Sequence, residues 1–162
     1  MHRTGSRSLG RTLVDSTASG NGMHGVIASS AAALHNVVAE HNVDDGIVVY
    51  ADGKSAVANC TANYNGRFGI RVGSGDSRVR LTRNTANGNE ASGILLEAGV
   101  VRARRNLTDG NAVAGIRLQS AAGKLLSNVA TGNDHIDMYD GTGCRLARWR
   151  GNVFDVASPC ID

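Results

Sequence analysis

Four side chains at regular intervals have the chemistry to act on an acidic molecule. Arg71, Glu97, Arg117 and Tyr139 are separated by 26, 20 and 22 residues. An arginine fork can bind a carboxylate through two hydrogen bonds, which acidifies a proton on the neighbouring carbon. A second group such as Tyr139 must then remove that proton, while Glu97 could hold an arginine in place. The opposing interpretation is an exposed ladder of opposite charges, which stabilises a sheet without any substrate.

A second set of residues predicts a basic stripe. Arg80, Arg102 and Lys124 recur every 22 residues, and Arg83 and Arg105 repeat the same interval. Stacked cations repel one another unless something anionic bridges them, and an acidic polymer would do so. Nucleic acid is disfavoured, because the chain has few aromatic residues to stack on bases and no pattern for a groove-reading helix. The alternative is a solvated row of long side chains along a sheet.

Three carboxylates crowd into one short segment, where Asp134, Asp137 and Asp140 surround His135. Carboxylates at this density can bind a hard cation such as Ca²⁺, although no EF-hand spacing is present. A zinc site is not expected, because the earlier histidines fall in different repeats: His24, His35 and His41. Ca²⁺ is therefore the one cofactor that the sequence suggests, and the chain does not otherwise require one.

The elements that position these residues come from an internal repeat of about 22 residues. An asparagine recurs in each repeat. A glycine lies four residues after each of the first five asparagines, and Asp137 lies four residues after the sixth. The asparagines are Asn21, Asn42, Asn65, Asn89, Asn111, Asn133 and, 19 residues later, Asn152. Small residues precede each asparagine by three positions, as Ala62 and Ala86 do. Tyr50 and Gln119 share the repeat position of Glu97, and we assign them to the same substrate-binding surface.

Each repeat contains alternating segments of three to five residues, as in Val79–Leu81, which indicates short strands with one buried face. A unit this short buries its apolar face only by stacking on its neighbours, so the sequence predicts an all-β parallel solenoid of about seven coils. The asparagines should form hydrogen-bonded ladders, and each repeated glycine should supply a positive φ at a corner. We expect residues 1–12 to form a basic, poorly ordered tail and residues 13–162 to form the solenoid.

The stretches 65–72 (NGRFGIRV), 89–96 (NEASGILL) and 111–118 (NAVAGIRL) resemble the right-handed parallel β-helix repeat of the pectate-lyase-like superfamily. The resemblance covers about residues 13–155. The resemblance implies a right-handed coil. The superfamily contains polysaccharide lyases, hydrolases and epimerases as well as proteins of no known activity, so the resemblance leaves all of these functions open. By analogy with lyases of this class, Tyr139 or a deprotonated arginine would be the base. The chain lacks the aspartate clusters and long loops that such active sites usually display.

The closing segment, residues 137–162, resembles the end of many actinobacterial β-helix proteins. In this segment Trp149 lies three residues before Asn152, in the small-residue position, and we interpret it as the cap of the open core within a capping segment of about residues 144–162. The resemblance implies a disulfide between Cys144 and Cys160, which leaves Cys60 as a buried thiol. A disulfide would place the protein in an oxidising compartment, outside the cell or in the cell envelope.

Composition narrows the function classes further. The chain of 162 residues carries a formal charge of +3 and 21 glycines but one proline. No apolar run approaches the roughly 20 residues of a membrane span, and no secretory signal precedes the repeats. We expect a protein that binds or acts on an acidic polysaccharide, with uronate lyase or epimerase chemistry as the leading enzyme class. The alternatives are a non-catalytic carbohydrate-binding or structural solenoid, which could be a fragment of a larger protein, and a biosynthetic enzyme on a small molecule. The uncapped first coil could make end-to-end or homo-oligomeric contacts.

Overall fold

The computed structural model describes residues 6–8, 11–50, 53–73, 77–97 and 99–161, and these form a parallel β-solenoid. The solenoid has about six turns of about 22 residues, and all the paired strands are parallel. The predicted all-β solenoid is therefore confirmed. The described residues include no helix, and so none long and apolar enough to cross a membrane.

Two seven-stranded sheets and one three-stranded sheet run along the solenoid. The strands of sheet A are, in spatial order, β1 (Ser6–Ser8), β3 (Val26–Ala28), β5 (Ile47–Val49), β7 (Ile70–Val72), β9 (Ile94–Leu96), β12 (Ala114–Leu118) and β15 (Ile136–Asp140). Those of sheet B are β2 (Arg11–Val14), β4 (Ala32–His35), β6 (Gly53–Ala58), β8 (Ser77–Thr82), β10 (Val100–Arg104), β13 (Ala122–Leu126) and β16 (Ala147–Arg150). Sheet C contains β11 (Leu107–Asp109), β14 (Val129–Thr131) and β17 (Val153–Phe154).

The first strands overlap the segment 1–12 for which the sequence predicted a tail. Strand β1 pairs with β3, and β2 pairs with β4, so parts of this segment continue both long sheets. Residues 1–5 and 9–10 lie outside the described residues.

The core is built from columns of equivalent residues that stack on one another. The aliphatic residues after the repeated glycine are fully buried: Val26, Ile47, Ile70, Ile94, Ile116 and Met138. A second column faces them from sheet B and consists of Leu34, Val57, Leu81, Ala103 and Leu125. Each column is continuous from turn to turn, so no single turn could bury these side chains without its neighbours.

Buried asparagines form a ladder beside this core. The side-chain amide of Asn65, for example, donates to Oδ1 of Asn89 in the next turn at 3.0 Å and to the carbonyl of Ala39 in the preceding turn at 3.0 Å. The first ladder joins Asn21, Asn42, Asn65, Asn89, Asn111 and Asn133. Because the ladder satisfies each amide internally, these polar groups are buried without an unpaired donor.

The assignment of Asn152 to this ladder was wrong. Asn152 accepts from Asn128 at 3.0 Å and ends a second ladder that runs through Asn84, Asn106 and Asn128. Cys60 begins that ladder, where its backbone N–H donates to Oδ1 of Asn84 at 2.9 Å. The interval of 19 residues after Asn133 signalled the change of column, since the other intervals are 21 to 24.

The predicted role of the repeated glycines was also wrong, because they do not adopt positive φ. They are glycines for lack of space: a Cβ on Gly93 would lie 2.6 Å from the carbonyl oxygen of Ala86 and 2.8 Å from Nδ2 of Asn111. Positive φ occurs instead in two other columns. One, with φ of 48–55°, is a corner column that consists of Asp15, Asn36, Asn59, Arg83, Arg105 and Ser127. The other lies directly before the ladder asparagines, with φ of 53–67°, and consists of Gly20, His41, Tyr64, Gly88, Gly110 and Gly132.

Large side chains close the last turn. Trp149 pairs with Leu125, so it ends the apolar column of sheet B and not the small-residue column to which the spacing assigned it. Phe154 is the residue that follows Ala130 in the small-residue column. Trp149 is 8% exposed, and its indole N–H donates to Asp140 at 2.8 Å. Both rings fit because each lies at the end of its column, where no further side chain of that column stacks on it.

Candidate functional site

The outer face of sheet A carries the four residues predicted to be catalytic. The register places Arg71 opposite Leu95, Leu95 opposite Arg117, and Arg117 opposite Tyr139. Neighbouring strands lie about 4.8 Å apart, so the two arginines are about 10 Å apart along the solenoid. Leu95 between them is 3% exposed although it points outward.

Arg71 is already paired within the protein. Its Nε donates to Oε2 of Glu97 at 2.8 Å and its Nη2 to Oε1 at 3.1 Å. Donation to the Glu97 carboxylate raises the pKa of Arg71, which favours the charged form of the guanidinium. The guanidinium also lies 5.8 Å from the ring of Tyr50, and the missing side chain of Gly73 makes room for that ring.

Arg117 has a different environment. Its guanidinium lies 5.5 Å from the ring centre of Tyr139, and its buried Nε has no hydrogen-bond partner. Among the described residues no carboxylate lies within 4.0 Å of it. Gln119 is exposed two residues further on, directly after strand β12 ends at Leu118. Unlike Arg71, Arg117 thus retains capacity to bind an external carboxylate.

Sheet B carries the basic stripe, and its outer face forms a groove of ≈ 1040 Å³. Arg80 pairs with Arg102, and Arg102 with Lys124, on consecutive strands. Lys54 and Arg78, which pair with each other, add a second row that the sequence analysis did not assign to substrate. The signal for this row was available, because Lys54 and Arg78 each lie two residues before the repeat position of Arg80.

Arg83 and Arg105 lie apart from this groove. Both occupy the positive-φ corner column after sheet B, and neither lines the groove. Their side chains are exposed. The structure therefore brings Arg80, Arg102 and Lys124 together and separates the other two predicted residues from them.

The carboxylates of the segment 134–140 have separate environments. Asp137 accepts from the side chain of Asn133 at 2.8 Å and from two backbone N–H groups, those of Asp155 and Val156, at 2.9 Å. Asp140 accepts from Thr142 and Trp149, whereas Asp134 is exposed. Within the described residues, the side-chain oxygens of Asp134, Asp137 and Asp140 do not lie close enough together to form one metal site.

Hydrogen bonds outweigh burial at both buried aspartates of this segment. Burial would raise their pKa values, but the donors from Asn133, Val156 and Asp155 hold the pKa of Asp137 below its usual value. The donors from Thr142 and Trp149 do the same for Asp140. Both carboxylates are thereby stabilised in their ionised form, in which they accept hydrogen bonds from the capping segment.

The cap also contains a disulfide between Cys144 and Cys160, whose Cα atoms are 6.0 Å apart. Cys60 is a free thiol in the core, and burial raises its pKa. A raised pKa keeps the thiol protonated, which is unsuited to a nucleophile.

A further cluster was missed by the sequence analysis. His24, Asp44 and Asp45 belong to adjacent turns, and one ligand atom from each lies within 4.8 Å of the others. The histidines were judged only against one another, although stacking brings any two residues at the same repeat position together. His24 and Asp45 each lie three residues after a ladder asparagine, which was the available signal.

The parallel coils, the amide ladders and the capped end define a single β-helix domain. The family model described as "right handed beta helix region" matches residues 4–154 of the chain. The chain therefore belongs to the right-handed β-helix family. No curated protein and no solved structure matches the chain significantly. The family is compatible with carbohydrate-active proteins.

Proposed function

We propose that the protein binds a linear acidic polysaccharide in the groove of sheet B. The observation that carries this proposal is a double row of exposed cations that lack internal partners. The cations are Lys54, Arg78, Arg80, Arg102 and Lys124. Among the described residues, none of them has a carboxylate within 4.0 Å, and no acidic residue lines the groove.

The repeat of the cations favours a polymer over a small ion. Arg80, Arg102 and Lys124 stack along the solenoid at the spacing of neighbouring strands, about 4.8 Å. Like charges at this spacing repel, and an anion that recurs along an extended chain would offset the repulsion at every turn. The described lining contains no aromatic residue, which disfavours single-stranded nucleic acid as the ligand.

The disulfide supports the proposed location. Disulfides such as Cys144–Cys160 persist in oxidising compartments, so we infer that the protein works outside the cytoplasm, where acidic polysaccharides occur.

Binding of alginate, pectate and glycosaminoglycans at increasing salt concentration tests this function. We expect affinity to fall steeply with salt, because the groove binds through charge. The double variant Arg80→Ser/Arg102→Ser should bind about tenfold more weakly, from the loss of two exposed ion pairs.

The matched control is Arg83→Ser/Arg105→Ser, which removes the same charge from outside the groove. Serine fits that positive-φ column, since Ser127 already occupies it. Affinity should fall far less in this control. Equal losses in the two double variants, or binding that salt does not weaken, would contradict the proposed groove.

A second candidate function is uronate lyase or epimerase chemistry on sheet A, and the environment of Arg117 favours it. Arg117 would bind the sugar carboxylate, and the phenolate oxygen of Tyr139 would take the proton from C5. In elimination the C4–O bond then breaks as a C4=C5 double bond forms, and the leaving oxygen takes up a proton. In epimerisation the proton returns to the opposite face of C5.

Absorbance of the unsaturated product tests elimination, and solvent-deuterium exchange at C5 tests epimerisation. Arg117→Ala should abolish either reaction while the sheet B groove still binds the polymer. If the wild-type protein binds the polymer but gives neither the absorbance nor the deuterium exchange, the catalytic function is wrong and only the binding function remains.

A further inference from the structure

A buried carboxylate in the second turn has an oxygen with no hydrogen-bond partner. The side chain of Asp45 is 0% exposed. Its Oδ1 accepts the backbone N–H of Phe68 at 3.2 Å, whereas Oδ2 has no hydrogen bond. Oδ2 instead lies 3.5 Å from Nδ1 of His24, one turn earlier.

The nitrogen nearest Asp45 Oδ2 forms one long hydrogen bond. Nδ1 of His24 accepts the backbone N–H of Asp45 at 3.3 Å, so its single lone pair binds an ion only if this hydrogen bond is given up. Asp45 Oδ2 and His24 Nδ1 lie 3.5 Å apart, and no hydrogen bond spans the gap between them. A buried carboxylate oxygen without a partner is unfavourable unless a cation lies beside it.

Asp44 supplies a third ligand atom, an oxygen, at the surface side of this gap. Its Oδ2 lies 3.6 Å from Nε2 of His24, and its side chain is 31% exposed. The side chain of His24 is 14% exposed, so an ion could enter from this side. Burial raises the pKa of Asp45, which means that its negative charge is not fully compensated by the groups around it.

Two arginines lie nearby but do not fill the gap. Arg71 Nη1 is 3.7 Å from Asp45 Oδ2, beyond hydrogen-bond distance, because its Nε and Nη2 are bound to Glu97. Arg67 is half exposed, and its Nη1 lies 3.7 Å from Oδ1 of Asp44, on the other oxygen of that carboxylate. Both reduce the local negative charge, and both leave Oδ2 of Asp45 without a hydrogen bond.

We propose that His24, Asp44 and Asp45 bind one divalent transition-metal ion of the Zn²⁺ class. With bonds of about 2.0–2.1 Å, two ligands at the tetrahedral angle are about 3.4 Å apart, close to the 3.5 Å between His24 Nδ1 and Asp45 Oδ2. A mixed imidazole and carboxylate set favours such ions over Ca²⁺ and Mg²⁺, which prefer oxygen alone. The site lies beside Arg71, where the chain enters strands β3 and β5 of sheet A.

Calorimetric titration of the untagged, full chain with Zn²⁺, Co²⁺ or Ca²⁺ alone tests the site. We expect one Zn²⁺ per chain, weaker Ca²⁺ binding, and a higher midpoint of thermal unfolding with Zn²⁺ because the ion binds only the folded state. His24→Gln and Asp45→Asn should each weaken Zn²⁺ binding at least tenfold. Circular dichroism and the cooperativity of unfolding verify that each variant is folded.

The matched control is Asp134→Asn/His135→Gln, which removes an exposed aspartate and an exposed histidine elsewhere. This control should bind Zn²⁺ as the wild type does. The proposal is overturned if the wild type neither binds Zn²⁺ nor gains thermal stability from it, which would mean that the gap holds a proton. Unchanged affinity in both single variants, or equal affinity for Ca²⁺, would overturn it as well.

Discussion

Asn133 ends the first asparagine ladder on the carboxylate of Asp137, four residues further along the chain, at 2.8 Å. In the earlier turns the position of Asp137 is a glycine, because an amide from the next turn approaches it. In the last turn that approach is absent, and the aspartate supplies the oxygen that the next asparagine would otherwise provide. The same carboxylate accepts the backbone N–H groups of Asp155 and Val156.

This arrangement predicts acid sensitivity. The pKa of Asp137 is lowered in the folded state, so its stabilising contribution is present above the unfolded pKa of about 3.9 and is lost as pH falls through the folded value. We expect Asp137→Asn to lower the thermal midpoint at pH 7 and to reduce its dependence on pH below about 4. The measurement is thermal unfolding from pH 2 to pH 7. A variant as stable as the wild type at pH 7 would contradict this role.

The repeated glycines give a second prediction, which concerns space and not φ. Gly93→Ala would place a methyl group against the Ala86 carbonyl and the Asn111 amide, and should lower the free energy of unfolding by about 1–3 kcal/mol. Gly22→Ala is the control, because nothing lies within 4 Å of its Cβ position and its φ is not positive. Urea unfolding measures both variants. The control should change by less than about 0.5 kcal/mol, and equal effects would show that the close approach does not matter.

The repeat predicted the fold because stacking converts a sequence interval directly into a spatial neighbour. The position of Arg71 relative to Arg117 followed from the repeat alone. What the interval could not supply was the side-chain pairing within a turn and across it. Glu97 binds Arg71 and not Arg117, which depends on side-chain direction rather than on the spacing.

Other errors arose where the repeat ends or where residues of unlike type share a column. Asn152 was assigned to the first ladder and Trp149 to the small-residue column, but the last turn continues the second ladder and the apolar column. His24 and Asp45 share a column, yet they were not compared because the search for zinc ligands considered histidines alone. A search down each column for any pair of metal ligands would have found them.

The cap provides the third prediction. Trp149→Ala removes the ring over the last turn and the hydrogen bond to Asp140, and exposes the end of the apolar column. We expect a lower thermal midpoint and concentration-dependent aggregation, because exposed strand edges then become available for pairing. Light scattering during heating measures this. Trp149→Phe is the control: it retains the ring but loses the hydrogen bond, and should aggregate less than the alanine variant.

The last prediction concerns Asp45 in the absence of metal. Its folded pKa is raised, chiefly by burial, so the ionised form is disfavoured in the folded state and opposes folding once the pH rises through the folded value. In the presence of a chelator, Asp45→Asn should therefore raise the thermal midpoint at pH 7. Below about pH 4 both states of the wild type are protonated, and the difference should disappear.

Asp44→Asn is the matched control, since Asp44 is partly exposed and its charge is better solvated. Its midpoint in chelator should change less at pH 7 than that of Asp45→Asn. Added Zn²⁺ should reverse the order of wild type and Asp45→Asn, because only the wild type retains the complete ligand set. An Asp45→Asn variant that is less stable than the wild type in chelator would show that Asp45 is structural. A residue that destabilises the apoprotein and stabilises the metal-bound protein is instead retained for binding the ion.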